Sequence, residues 1–586
     1  SDADISATTN VTLNAGDDVD VATTTTAGQT ISIAAGGDVN ANVLTATNAA
    51  IDIDADGDIA LAGTATAGTT IDAVADLSVT TAAVTAGGAI TLDGGTDATL
   101  DGAATGASIA ITAGDLLTQA GAIDVTGDID LESTTGAVVT TGTVEGANYA
   151  VDAADSIAIN GDIDLTGAFT LGQSRQPTGT ATINADIVNT TSVTADTDGD
   201  ILITAGSDLN STGAVDIDAG NLLDVDGQIN GTDIVLNADG DALIATALIA
   251  DGRVGITADN DVLTEGAITA TTGNDIVITA GNDLRHTATL GGGARNVFLN
   301  ATTGDIRSEA AVTAAGTARL RAGENITATD TVDGAGVTID GGNDVTLAAI
   351  VAHAAGANID AGSDLTLNGA VDANNGDVAL DAGGLITQDA AIGGANTTNN
   401  IAITSRDGSL DSNNIIDANA SVAITTGQNV DLASSVTAGT SIALDAGGTV
   451  DAAAMLDGGT SVAVSGDDNV NLVDTIARSG NATIEGLNVT LAGPVNAINN
   501  DIIVTADNNI ASNAALGGLN NTDNITLRAN TGWVNATDTI SADGTANVWA
   551  GQDITTTGTV DATTVLMNGG NDVALATILA AAGGAA

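Results

Sequence analysis

An apolar beat that ends in a glycine turn, apolar-x-apolar-x-Ala-Gly-x-Asp-apolar, returns about every 20 residues along the whole chain, and a fixed period of that length marks a solenoid. The beat is clearest at 11–19, 31–39, 51–59, 276–284, 337–345, 357–365, 546–554 and 565–573, and the same phrase is read at 201–209. Weaker copies begin at Ile109, Val254, Ala318, Val378, Val422, Ile442 and Val462, for a total of about twenty-nine, one per turn of a β-helix.

Within a copy, Ile, Val or Leu alternates with Thr, Asp or Ser, which gives a strand one dry face because successive side chains leave it on opposite sides. The Ala-Gly-x-Asp step then turns the chain. Glycine recurs there (Gly16, Gly36, Gly206, Gly342, Gly362, Gly570), replaced by Asp56, Asp467 and Asp507 in some copies, and both residue types tolerate a left-handed backbone. A second short strand follows, as at 19–21, 59–61 and 345–347, and a Thr/Ala/Gly stretch leads into the next copy. Strands this short cannot bury a face alone, so the units must stack about 4.8 Å apart and share a core. The expected fold is all-β: one continuous parallel β-solenoid over 1–586 without a separate globular domain, a rod on the order of 140 Å long.

A longer period lies over the short one. The segment 290–352 aligns with 516–580 almost without gaps, and Leu or Ile followed by Gly and a longer loop recurs at Leu171, Leu290, Ile392 and Leu516. Five or six turns thus form a cassette of roughly 100 to 125 residues, repeated in tandem. The loops at 173–179 (with Pro177), 393–400 and 517–524 break the rhythm, and insertions in a solenoid go to its surface, where they are either neutral or carry binding.

Aromatic residues make up 1% of the chain, which suits a thin interior filled by Ile, Val, Leu and Ala. No stretch has the eighteen or so consecutive apolar residues of a membrane span, so no membrane insertion is expected. Cysteine is absent, which removes disulfides and thiolate ligands without fixing the compartment.

Seventy-five acidic residues face ten basic ones, all Arg, for a net charge of −65. Nucleic acid, phospholipid surfaces and other polyanions are therefore poor partners, and no nucleic acid is expected. Asp18, Asp38, Asp58, Asp208, Asp283, Asp344, Asp364, Asp553 and Asp572 fall at one position of the repeat, shared with Asn325, Asn429, Asn469 and Asn509. Carboxylates stacked about 4.8 Å apart would repel by roughly 1 kcal/mol per pair even in water. Three things can offset this: a calcium ladder on these carboxylates, high ionic strength outside the cell, or each Asp or Asn closing its own turn by a backbone hydrogen bond. No cofactor is required, and calcium is the candidate ion.

Arg285, Arg295, Arg307, Arg319 and Arg321 gather half the arginines within two to three turns, beside His286. They read either as a cationic contact patch for an acidic glycan or a carboxylate of a neighbouring rod, or as local neutralisation of Asp283, Asp305, Glu309 and Glu324. The cassette alignment puts Trp549 where Arg321 stands, with Arg528 one turn earlier in place to stack on it. Two histidines, His286 and His353, lie several turns apart, and with neither Cys nor Lys the chain lacks the parts of a nucleophile–base pair or a zinc site, so no enzyme is expected.

Copies such as 276–284 (IVITAGNDL) and 357–365 (ANIDAGSDL) resemble the repeats of filamentous haemagglutinin-type exoproteins, the passengers of two-partner secretion. The resemblance implies a right-handed parallel β-helix, export to the cell surface, and adhesion or filament formation. The chain starts at Ser1 without an h-region and ends in 580–586 without a polar cap, which reads as an interior piece of something larger. Two functions follow as expectations: a structural fibre or stalk, with self as the partner, or an adhesin whose loops bind a cell-surface glycan or protein.

Overall fold

The computed structural model describes residues 3–271, 273–394, 398–518 and 522–580, and these form two compact units, Ser1–Ala294 and Arg295–Ala586. Each unit is a parallel β-solenoid of about 20 residues per turn, and no α-helix occurs among the described residues. Among the described residues no helix is long and apolar enough to cross a membrane.

One turn contains three strands, one in each of three parallel sheets. In the turn that begins at Ile51 these are Ile51–Ala55, Ile59–Leu61 and Ala65–Ala67. Ile51 pairs with Ile31 below and Ile71 above, Ile59 with Val39 and Val79, and Ala65 with Leu44 and Val84. The Thr/Ala/Gly stretch expected as a connection is thus itself the third strand. The first-sheet column of the amino-terminal unit passes through Val11, Ile31, Ile51, Ile71, Ile90, Ile109, Ile129, Tyr149, Phe169, Val193, Val215, Ile234, Val254 and Ile276, fourteen turns. The column of the second unit also has fourteen, from Val297 through Ala318, Val337 and Ala357 to Val565. The repeat copies in the sequence suggest about twenty-nine, close to this.

The alternation of the sequence becomes the alternation of the wall. Ile31, Ile33 and Ala35 point inward and are buried while Ser32 and Ala34 face out, and the columns of buried Ile, Val, Leu and Ala fill the interior of each unit. Each fully buried Ile or Leu contributes about 1.5–3 kcal/mol against the unfolded chain. One layer departs from the aliphatic rule: Tyr149 and Phe169 succeed each other in the first-sheet column and pack edge to face, with centroids 5.7 Å apart. Burial pushes the Tyr149 phenol above the usual tyrosine range.

The recurring glycine has a different cause from the one expected. Of the repeat glycines only Gly206 has a positive φ, at 90°. Stacking is the cause at others: a Cβ on Gly342, Gly362 or Gly570 would stand 2.0 Å from the carbonyl oxygen of Gly323, Gly342 or Gly551 on the preceding turn, whereas Gly16, in the first turn, has open space there. The chain passes this corner so close to the turn below that a side chain has room only where the path shifts.

Polar residues also enter the interior, at the inward end of the second strand. Ser308, Gln388 and Ser512 each donate to the carbonyl two residues on, at Ala310 (3.3 Å), Ala390 (2.8 Å) and Ala514 (3.0 Å), and Ser412 Oγ lies 3.2 Å from the Asn414 carbonyl oxygen. They cap the second corner from inside. Gln388 reaches further, to the Asn414 and Ile415 carbonyls of the next turn, and accepts from Ser412 at 2.5 Å. His286 belongs to this set: it is fully buried, with Nδ1 3.1 Å from the Ala288 carbonyl oxygen.

Candidate functional site

The most regular chemical feature is the row of Asp and Asn side chains immediately before the second strand of each turn. Asp18 Oδ1 accepts from the Asp38 backbone N–H, Asp38 Oδ1 from Asp58, and Asp58 Oδ1 from Ser78, each at 2.9 Å. Asp241, Asp261 and Asp283 repeat the pattern at 3.1 and 3.0 Å. In the second unit it runs Asp305, Asn325, Asp344, Asp364, Leu385, with distances of 2.9, 3.0, 3.2 and 2.7 Å. Asp553 accepts from Asp572 at 3.1 Å.

Each side chain therefore clips the turn that follows it, whereas one of the three alternatives left open by the sequence had it close its own turn. An inter-turn acceptor needs only one oxygen, which is why Asn325, Asn429 and Asn509 serve as well as Asp. The acids also come in short runs, because Ser78, Leu116 and Leu385 interrupt the row, so a continuous column of repelling carboxylates does not form.

Asp208 does not belong to this row. It precedes Leu209–Ser211, which is a third strand paired with Ile187 and Ile229, and its backbone N–H donates to Asp186 Oδ1 at 2.9 Å. The phrase at 201–209 looks like the others, yet Ile201–Ile203 is a second strand between Ala181 and Leu223. All three sheets use the same apolar-x-apolar beat, so the phrase alone cannot say which corner it turns. Among the described residues, no three His, Cys, Asp or Glu side chains converge as a metal-holding group.

Outward carboxylates on the strands are more crowded than those at the corner. Burial raises the Asp72 carboxyl above its ordinary range, with Asp52 and Asp93 adding to the effect, and burial followed by Asp451 and Asp411 does the same to Asp431. Asp218 is raised by burial, then by Asp196, Asp239 and Asp216, and Asp130 by burial, then by Asp152 and Glu132.

The arginines divide between faces. Arg285 is an exposed residue of Leu284–His286 in the amino-terminal unit, with His286 turned inward beside it, so the histidine lies outside any surface patch. In the second unit, which begins at Arg295, Arg307 points out from a second strand, whereas Arg319 and Arg321 point out from the first strand Thr317–Ala322. Arg307 pairs with Glu309 and Arg321 with Asp340 at 3.5 Å. The expected stacking of Arg528 on Trp549 is present, 5.2 Å from the ring centroid. Arg406 bridges Asp360 (3.2 Å) and Asp381 (2.8 Å) on successive turns, a role with no local signal because the partners lie 46 and 25 residues away.

The 173–179 loop folds back on the first sheet. Asp152, nearly buried, accepts from the Ser174 and Arg175 backbone N–H groups at 2.9 and 3.2 Å, Arg175 pairs with Glu132 at 3.3 Å, and Gln176 donates to Asp196 at 2.6 Å. This loop follows a first strand, whereas those beginning at Gly393 and Gly517 follow third strands, so the sequence grouping joins two different corners. Ile392 and Leu516 lie in one third-sheet column, six turns apart. Within these two loops 395–397 and 519–521 lie outside the described residues, as do 581–586 at the end.

No protein-family model, curated protein or solved structure matches the chain.

Proposed function

We propose that the protein is an extracellular structural element, a repetitive β-solenoid that builds a surface fibre, stalk or filament by end-to-end or lateral self-association. The observation that carries this reading is repetition of one three-stranded turn, fourteen times in each unit, with a side-chain clip recurring in many of the turns. Length is what such a plan supplies, whereas catalysis needs a constellation that occurs once. The strong negative charge fits an exposed surface kept apart from nucleic acid and anionic lipid. The filamentous haemagglutinin-type resemblance of the repeats points the same way, and neither an enzymatic step nor a required cofactor enters the proposal. Electron microscopy of native material is the test. Continuous fibres or bundled rods are expected, and monodisperse single particles at every concentration would overturn it.

A second reading is favoured by one observation: the loops beginning at Gly393 and Gly517 emerge from the same corner of the second unit, six turns apart. Loops presented in a row suit an adhesin. Deleting both while keeping the turns should then abolish cell attachment and leave fibres unchanged.

A further inference from the structure

The clip position before the second strand carries Trp533 in one turn of the second unit. Asn509 below it behaves normally, accepting from the Trp533 backbone N–H at 3.1 Å. An indole has no oxygen to offer upward, so the clip to Asp553 on the following turn is given up. The ring is instead left 37% exposed, in a chain with two tryptophans and an interior almost free of aromatics. The other tryptophan, Trp549, lies on the next turn with Arg528 over its face, whereas no cation or second ring lies against Trp533 among the described residues. Beside Trp533 runs a shallow groove of about 200 Å³ lined by Val534, Asn535, Asp553 and Thr555. Asn535 and Thr555 are successive outward residues of the second sheet, in register at one rung.

We propose that this groove binds a neutral pyranose sugar. The flat indole is the surface on which the C–H face of such a ring packs. Around it stand a carboxylate that accepts from hydroxyls, an amide that both donates and accepts, and a hydroxyl that does either. A single aromatic wall is not the cage that holds quaternary ammonium groups. Asp553 and the overall charge of −65, with no arginine lining the groove, turn away acidic sugars. The proposal stands apart from the fibre reading, since a rod needs no such groove.

The test is saturation-transfer NMR on the whole chain with the methyl pyranosides of glucose, galactose, mannose and N-acetylglucosamine, and with tetramethylammonium as a control. At least one pyranoside should receive saturation on one face of its ring. Trp533→Asn restores an acceptor at the clip, so it should fold at least as stably as the native chain and lose the signal. Asp553→Asn keeps its clip to Asp572 and should weaken binding about tenfold, the range of one charge-assisted hydrogen bond. No transfer to any pyranoside, transfer that survives Trp533→Asn, or transfer to tetramethylammonium alone would each overturn the proposal.

Discussion

A clip made by one oxygen can be separated from charge by substitution. Asp38→Asn keeps the acceptor for the Asp58 N–H and removes a negative charge, whereas Asp38→Ala removes both. Asn is expected to leave stability unchanged or slightly raised, and Ala to cost about 1 kcal/mol, the net value of such a bond. Amide exchange at Asp58 is the local measure: fast exchange in the Ala variant and protection in the Asn variant are expected, and equal protection in both would show the bond to be idle. The crowded strand carboxylates behave differently with pH. Asp431 has a folded value raised above 3.8 by burial and by its stacked neighbours, so the folded state holds the proton more tightly than the unfolded chain. Its ionised form therefore costs stability at neutral pH, and that cost is relieved as pH falls through the raised value toward 3.8. Asp72, Asp130 and Asp218 carry the same sign. The melting midpoint should rise as pH is lowered from neutrality toward 3.8, and Asp431→Asn should flatten part of that rise; a midpoint that falls steadily over this interval would contradict the assignment.

At the scale of a strand, a buried side chain is shared by three turns. Ile339 is fully buried between Leu320 and Ile359, so Ile339→Ala should cost about 2–5 kcal/mol, and Ile339→Asp should melt the turns on both sides by burying an unpaired charge. Limited proteolysis should cut the Asp variant between 318 and 361, and intact protein there would count against stacked turns. Strand periodicity and the inward set were legible from the sequence because a two-residue alternation has one physical meaning. Which sheet a strand joins was not legible, as Asp208 shows: the beat at Ile201 is the same in all three sheets, and only the neighbouring turns fix its place. The role of the corner glycines was hidden for a related reason, since Gly342 is required by the carbonyl of Gly323 nineteen residues away and not by its own dihedral angles. Clip acceptors were visible as recurring Asp and Asn, but the direction of the bond, into the following turn, is a property of stacking. The Arg528–Trp549 contact could be read in advance because the cassette alignment already supplied the register.

For the molecule as a whole, charge sets the conditions under which it lasts. Seventy-five acids against ten arginines leave most outward columns with repulsion to be screened, so the melting midpoint should rise with sodium chloride. The corner oxygens already accept backbone N–H groups, and equal midpoints are therefore expected in sodium chloride and calcium chloride at matched ionic strength. A larger rise with calcium, reversed by a chelator, would identify the acidic row as an ion-binding ladder after all. The clip has one more consequence. In the row before the second strand its oxygen belongs to the earlier turn and its N–H to the later one, 19 to 24 residues on. A completed turn thus holds out, at this corner, side-chain acceptors for chain that has not yet folded. A chain delivered amino-terminus first is therefore expected to meet a corner already furnished with these acceptors, so refolding should be faster onto an amino-terminal stack of turns than onto a carboxy-terminal one.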